Sequence, residues 1–282
     1  MLRVAVPNKG MLAEPASLML RESGYRQRGS VSELAILDPD NDIEFFYLRP
    51  RDVAVYVGSG TVDVGITGRD MLADAEAEAD ELLALDFGHS TFRFAAPAEG
   101  PSTVQDLAGL RVATAYPSLL SKYLAELGVA AEVIGLDGAV ETACRLGVAD
   151  AVADVVSTGT TLRTAGLTVI GEPLLESEAI LIRRRNGDQA GSAVTQLIRR
   201  LRGVLVARQY VLMDYDCPVE FLAAACDITP GLEGPTVSPL RKQGWVAVRV
   251  MVARVDTNRI MDDLWNVGAR AILVTNIHAS RI

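Results

Sequence analysis

Ser157-Thr158-Gly159-Thr160-Thr161 places small hydroxyls around one glycine. A loop of this kind makes an anion site. Glycine lets the backbone turn tightly, free amides point inward, and hydroxyls donate. Residues 149–156 ahead of it are apolar and valine-rich, short enough for a buried strand, and Leu162-Arg163 after it opens a helix. The helix N-terminus adds partial positive charge. Asp154 stands just before the loop, where a carboxylate accepts hydrogen bonds from sugar hydroxyls. Loop and carboxylate together suit a phosphorylated ribose. The same residues also describe an ordinary strand–turn–helix capped by Ser or Thr.

Further charged groups fall at predicted strand ends. Lys9 lies in the turn Asn8-Lys9-Gly10 after the first strand, and Arg49 and Arg51 flank Pro50. A lysine offers a flexible point charge, whereas a guanidinium grips phosphate with two parallel hydrogen bonds. Asp70 ends Gly65-Ile66-Thr67-Gly68-Arg69-Asp70, and Tyr116 precedes Pro117 at the start of a helix. Each has a plainer reading: solvated lysine, surface arginine, helix cap, core-edge tyrosine. What joins them is position, because α/β ligand sites form at the carboxyl ends of strands.

The elements that must position these groups follow two successive β/α runs, residues 1–90 and 91–166, each implying a lobe built on a mostly parallel sheet. Residues 167–171 and 178–182 are expected to return to the first lobe, so that lobe takes residues 1–90 plus about 167–190. Two crossings form a hinge, which favours a cleft that closes on its ligand. Arg183-Arg184-Arg185 reads either as a phosphate patch or as a solvated strand end. The remainder, residues 203–282, has a different rhythm. Strands at 204–213, 237–240, 245–252 and 271–276 and helices at 218–226 and 258–267 give a βαββαβ order, a ferredoxin-like domain with an antiparallel sheet.

Composition narrows the classes of function. The chain has 282 residues, 49% hydrophobic and 22% charged, enough for two or three domains with sizeable cores. No apolar run approaches the ~20 residues of a membrane span, and the N-terminus reads as a strand rather than a signal peptide, so a cytoplasmic protein with no membrane partner is expected. A net charge of −9 argues against nucleic acid. Cys144, Cys217 and Cys226 lack metal spacing and read as reduced thiols. His89 and His278 have no Cys or His beside them and read as structural.

Taken together, Asn8-Lys9-Gly10, Leu48-Arg49-Pro50-Arg51-Asp52, Gly65 to Asp70, Asp137-Gly138-Ala139-Val140-Glu141 and Asp154 to Leu162 resemble the long-chain ATP phosphoribosyltransferase family over essentially the whole length. Asp216-Cys217-Pro218 and Ile228-Thr229-Pro230-Gly231-Leu232 are similar to its regulatory domain. Met11 stands where many members carry Arg. The resemblance implies a periplasmic-binding-protein-like catalytic core. It also implies condensation of ATP with 5-phosphoribosyl 1-pyrophosphate, the first step of histidine biosynthesis. By the same resemblance, Ser157, Thr158, Gly159, Thr160 and Thr161 hold the 5-phosphate, and Asp154 accepts from the ribose hydroxyls. Lys9, with Gly10 beside it, and Arg49 face the pyrophosphate or the nucleotide, while Asp70 and Tyr116 border the adenine. Mg²⁺ is implied on the pyrophosphate, held mostly by ligand oxygens and water, with no protein ligand assigned. Histidine and AMP are implied as inhibitors, with Asp216, Leu232, Thr236 and Ala271 lining the histidine site, and dimers assembling into hexamers. The competing class is a two-lobed small-anion or amino-acid binding protein without turnover.

Overall fold

The computed structural model describes residues 1–157, 159–185 and 191–281. The chain divides into two compact units, residues 1–21 with 25–195, and residues 22–24 with 196–282.

The first unit opens with β1 (Leu2–Pro7), α1 (Ala13–Glu22) and the antiparallel hairpin β2 (Ala35–Asp38) and β3 (Ile43–Leu48). There follow α2 (Pro50–Gly58), β4 (Val64–Gly68), α3 (Arg69–Ala75) and β5 (Ala79–Ala84). Pro50 stands in the first turn of α2, where its missing N–H costs nothing. The chain then builds β6 (Ser90–Pro97), β7 (Arg111–Thr114), α4 (Pro117–Glu126), β8 (Glu132–Gly135), β9 (Ala151–Val156), α5 (Thr160–Thr164), β10 (Leu167–Ser177) and β11 (Ala179–Arg184).

These strands form two sheets, in the orders β2-β3-β1-β4-β11-β5 and β10-β6-β9-β7-β8. β3, β1 and β4 run parallel, as do β8, β7 and β9. Each lobe therefore carries the carboxyl ends of a parallel trio along one edge. The two segments joining the sheets are residues 85–89 and Glu178, which makes the core the two-lobed architecture of binding proteins. The first lobe buries Val53, Ala54 and Val57 of α2 against Ala5, Ile180 and Ile182. The second packs Leu119, Leu120 and Leu124 of α4 against Phe92, Phe94 and Val112 on one face, and Val140 and Leu162 against Ala113 and Val152 on the other.

Three expected elements fall elsewhere. Residues 167–177 do not return to the first sheet. β10 pairs antiparallel with β6 along its length, with a bulge between Ile170 and Leu175, because Leu167 and Ile170 bury into the second lobe's cores. Only β11 returns, between β4 and β5. A helix near residues 140–146 shrinks to a single 3₁₀ turn at Val140–Thr142. Residues 204–209 are helical rather than extended. α6 (Ser192–Gln209) continues through them because Val194, Leu197, Leu201 and Val204 repeat at helical spacing and are buried.

The second unit then holds β12 (Tyr210–Pro218), α7 (Leu222–Ile228), β13 (Thr236–Pro239), β14 (Trp245–Ala253), α8 (Thr257–Val267) and β15 (Arg270–Asn276). The sheet order is β13-β14-β12-β15, all antiparallel, a ferredoxin-like arrangement. Val211, Met213, Tyr215 and Cys217 of β12 alternate into the core with Val248 and Val250, under Ile260 and Leu264 of α8. That alternation carries β12 to Pro218, so α7 starts at Leu222 rather than at Pro218. Among the described residues no helix is long and apolar enough to cross a membrane.

Candidate active site

The carboxyl end of β9 delivers Asp154 into a cavity of about 150 Å³ lined by Glu141, Val155, Val156, Ser157, Gly159, Thr161 and Leu162. Thr158 lies outside the described residues. Gly159 adopts the left-handed conformation (φ 69°) immediately before α5, and this turn needs glycine. Leu162 is buried and anchors α5, leaving Thr160 and Thr161 exposed beside the turn. The Thr160 hydroxyl accepts a hydrogen bond from Arg163 Nη2 at 3.3 Å.

Asp154 is half-buried. Its Oδ1 accepts from the Val155 amide at 2.8 Å. Burial pushes its carboxyl up to about 6, with Glu141 raising it further and Arg51 opposing. Among the described residues the Val155 amide is the donor to this carboxylate.

On the first lobe the three parallel strand ends bring Lys9, Arg49 and Asp70 to one edge. Pro7 is paired with Leu48, and the Asn8 amide donates to the Leu48 carbonyl at 2.8 Å, which sets the turn of Lys9 and Gly10 beside Arg49. Lys9 and Arg49 are both exposed, with no ion pair among the described residues. Arg49 precedes α2 without capping it through its side chain. Asp70 is buried, 4% exposed, and lies within α3 rather than at its cap. Its Oδ1 accepts from the Ser177 hydroxyl at 2.7 Å, and its amide donates to Ser177 Oγ at 3.0 Å.

Tyr116 joins the lobes. Its ring meets Phe92 edge-on at 5.6 Å and lies 4.3 Å beneath the Arg51 guanidinium. Its hydroxyl is raised above the ordinary phenol range, first by burial and then by the nearby Asp70 carboxylate. Asp70, Tyr116, Arg51 and Asp154 thus form one electrostatic cluster.

Sequence reasoning assigned no role to Glu141, Asp74 or Ser177. Glu141 sits inside a quoted motif, and Asp74 follows Asp70 by one helical turn. Ser177 carried no signal, because its role depends on β10 staying in the second sheet. Other expectations resolve plainly. His89 and His278 are exposed, and the three cysteines are free thiols. Arg185 pairs with Asp80 at 2.9 Å and Glu78 at 3.6 Å, a surface ion pair at a strand end. Among the described residues, side chains placed to share a metal ion are Asp86, His89 and Glu178 on the joining segments. These engage one another and Arg69 instead: Asp86 to His89 at 3.2 Å and Glu178 to Arg69 at 3.3 Å.

In the second unit, Asp216 stands within β12 and caps no helix. It pairs across the sheet with Ala247 and Arg270, two register positions from Thr236 paired with Arg249, both on the sheet face away from α8. Leu232 lines a cavity of about 240 Å³ with Glu233, Gly234, Met251 and Arg281. Ala271 holds a left-handed backbone (φ 52°) at a bulge in β15.

Comparison with known proteins agrees with this architecture. The family described as ATP phosphoribosyltransferase matches residues 49–203, and that described as HisG, C-terminal domain, matches residues 207–279. The ATP phosphoribosyltransferase of Pseudarthrobacter chlorophenolicus is 64% identical, and that of Streptomyces avermitilis 58%, each over 100% of both chains. Among solved structures, the ATP phosphoribosyl transferase (HisG:HisZ) complex from Thermotoga maritima superposes with TM-score 0.62 at 25% identity, over 72% of this chain and 97% of that one. With full-length relatives at this identity and both family domains in order, the chain belongs to the ATP phosphoribosyltransferase family, in its long form.

Proposed function

We propose that the chain condenses ATP with 5-phosphoribosyl 1-pyrophosphate, opening histidine biosynthesis. The observation that carries this is the cavity behind Asp154. It combines an acceptor for ribose hydroxyls with a hydroxyl-rich turn for the 5-phosphate, and the nearby cluster of Arg51, Asp70 and Tyr116 offers groups for the nucleotide. Ring nitrogen one of adenine attacks the anomeric carbon, a C–N bond forms, and the C–O bond to pyrophosphate breaks. Positive charge develops on the sugar and negative charge on the leaving group, so the protein's work is positioning and charge stabilisation.

Ser157, Gly159, Thr160 and Thr161, with Thr158, hold the 5-phosphate. Asp154 fixes the ribose hydroxyls and faces the developing sugar cation. Lys9, beside Gly10, and Arg49 take the pyrophosphate or the triphosphate, a role their exposure at one strand edge supports. Asp70 and Tyr116 border the adenine. The carboxylates of Asp154 and Glu141 are hard oxygen donors on the same cavity, the kind that accommodates a hydrated Mg²⁺ riding on the substrate. When bound there, Mg²⁺ neutralises charge on the departing pyrophosphate. Histidine acts as feedback inhibitor through Asp216, Leu232, Thr236 and Ala271, and AMP competes for the nucleotide wall. A cytoplasmic homo-oligomer, built from dimers into hexamers, completes the reading.

The test is direct: full-length protein, ATP, phosphoribosyl pyrophosphate and Mg²⁺, with a pyrophosphatase to pull the equilibrium. Phosphate release that requires both substrates supports the reading. Ligand binding with no release leaves a two-lobed binding protein in its place.

A further inference from the structure

Helix α4 is short of donors' partners at its start. No residue of its own caps it: Tyr116 precedes the helix without a side-chain cap bond, and the first turn contains no acidic residue. The carboxylate comes instead from the other lobe. Asp74 Oδ1, on α3, accepts from the Leu119 amide at 3.1 Å. Its Oδ2 pairs with Arg51 Nη1 at 3.3 Å, and that same guanidinium lies over the Tyr116 ring. The Asp74 side chain is only 13% exposed, whereas Arg51 is 46% exposed, so the carboxylate is the shielded partner of this pair. Asp70 and Asp74 sit one turn apart on the same face of α3, both aimed at the second lobe.

We propose that Asp74 is a positioning residue for nucleotide binding: by capping α4 across the cleft and holding Arg51, it fixes Tyr116 as the adenine-facing wall. The assignment rests on the reading of Tyr116 as that wall. Its physical content is preorganisation. A single carboxylate ties down the helix that carries Tyr116 and the cation that stacks on it, so neither must be ordered when nucleotide arrives.

Wild type, Asp74→Ala and Asp74→Asn are compared as full-length proteins. Calorimetric titration with ATP alone and with phosphoribosyl pyrophosphate alone reads binding without turnover, and amide exchange reads residues 115–122. In Asp74→Ala, exchange in the first turn of α4 should quicken and ATP should bind about fivefold more weakly, the usual consequence of losing a cap. Affinity for phosphoribosyl pyrophosphate should stay within about twofold, since its loop is on β9 and α5. Asp74→Asn keeps an acceptor for the Leu119 amide and should restore the exchange protection and part of the ATP affinity. Equal weakening toward both substrates, unchanged ATP affinity, or no rescue by asparagine overturns the assignment; if Asp74→Ala does not fold, Asp74→Asn is decisive, and ATP affinity equal to wild type overturns it. A wild type that binds ATP but releases no pyrophosphate removes the proposed reaction while leaving the effect of Asp74 on ATP binding to be judged by itself.

Discussion

A carboxyl group raised to about 6 behaves differently on either side of that pH. For Asp154, the unfolded chain ionises near the ordinary value of about 3.9 while the folded protein resists ionisation until about 6. The unfolded state therefore gains relative stability as pH rises between those values, and the folded protein carries the full penalty above them. Asp154→Asn removes the penalty. At pH 8 the variant should be more stable than wild type by up to about 2 kcal/mol, or a few °C in Tm, and the difference should vanish near pH 4. Thermal melts at the two pH values decide it; a variant that is less stable at pH 8 would show that Asp154 is held by structure rather than kept for ligand. Activity should move the other way. Asp154→Asn should lose at least about a hundredfold in kcat/KM for phosphoribosyl pyrophosphate, because a charge facing the sugar cation disappears. The wild-type acid limb should fall near pH 6, where the free carboxyl titrates.

At the scale of elements, the site depends on how closely α2 approaches β4, since this sets where Arg49, Arg51 and Asp70 emerge. A Cβ built on Gly65 would lie 2.5 Å from Val53 Cγ1 and 3.0 Å from Val57 Cγ2, both buried on α2. Gly65→Ala must push the helix outward. The expected cost is about 1–3 kcal/mol, a fall of several °C in Tm, with KM for ATP rising before that for phosphoribosyl pyrophosphate. Melting and substrate titration at one temperature check both parts. Much of this was legible in the sequence. The parallel strands were short valine-rich or alternating runs, and the glycine and hydroxyl spacing marked the loop after β9. What was hidden followed from competition between local and distant order. Val204-Leu205-Val206 looks like strand by composition, but the buried helical spacing from Val194 onward overrides it. β10 looked like a returning strand because nothing local distinguishes pairing with β6 from pairing with β4. The contribution of Ser177 to Asp70 stayed invisible for the same reason: their contact spans most of the core.

At the scale of the molecule, the proposed catalytic cleft and the proposed histidine site fall in separate compact units, so inhibition by histidine requires coupling between them. The second unit carries features unneeded by a merely packed domain. Asp216 and Thr236 sit two register positions apart on the sheet face away from α8, and Ala271 holds a left-handed backbone that alanine adopts at a cost of about 1 kcal/mol. Strain kept at an exposed bulge is characteristic of ligand sites. Asp216 supplies a carboxylate suited to an ammonium or imidazolium, and such a charge-assisted bond is worth roughly 1.5–3 kcal/mol. Asp216→Ala should therefore raise the histidine concentration for half inhibition by about tenfold or more, with the uninhibited rate within about twofold of wild type. Pyrophosphate release measured across a histidine titration reads both quantities at once. Coupling between two sites is reciprocal, so the wild type should also bind histidine with an affinity that shifts when substrates are present, by the same factor that histidine shifts theirs. In Asp216→Ala the coupling factor should survive although histidine binds more weakly, because the variant removes a contact to the effector and leaves both conformations of the chain intact. Inhibition by histidine that is unchanged in the variant places the effector elsewhere. Lost inhibition with unchanged histidine affinity instead makes Asp216 part of the route between the units rather than part of the site.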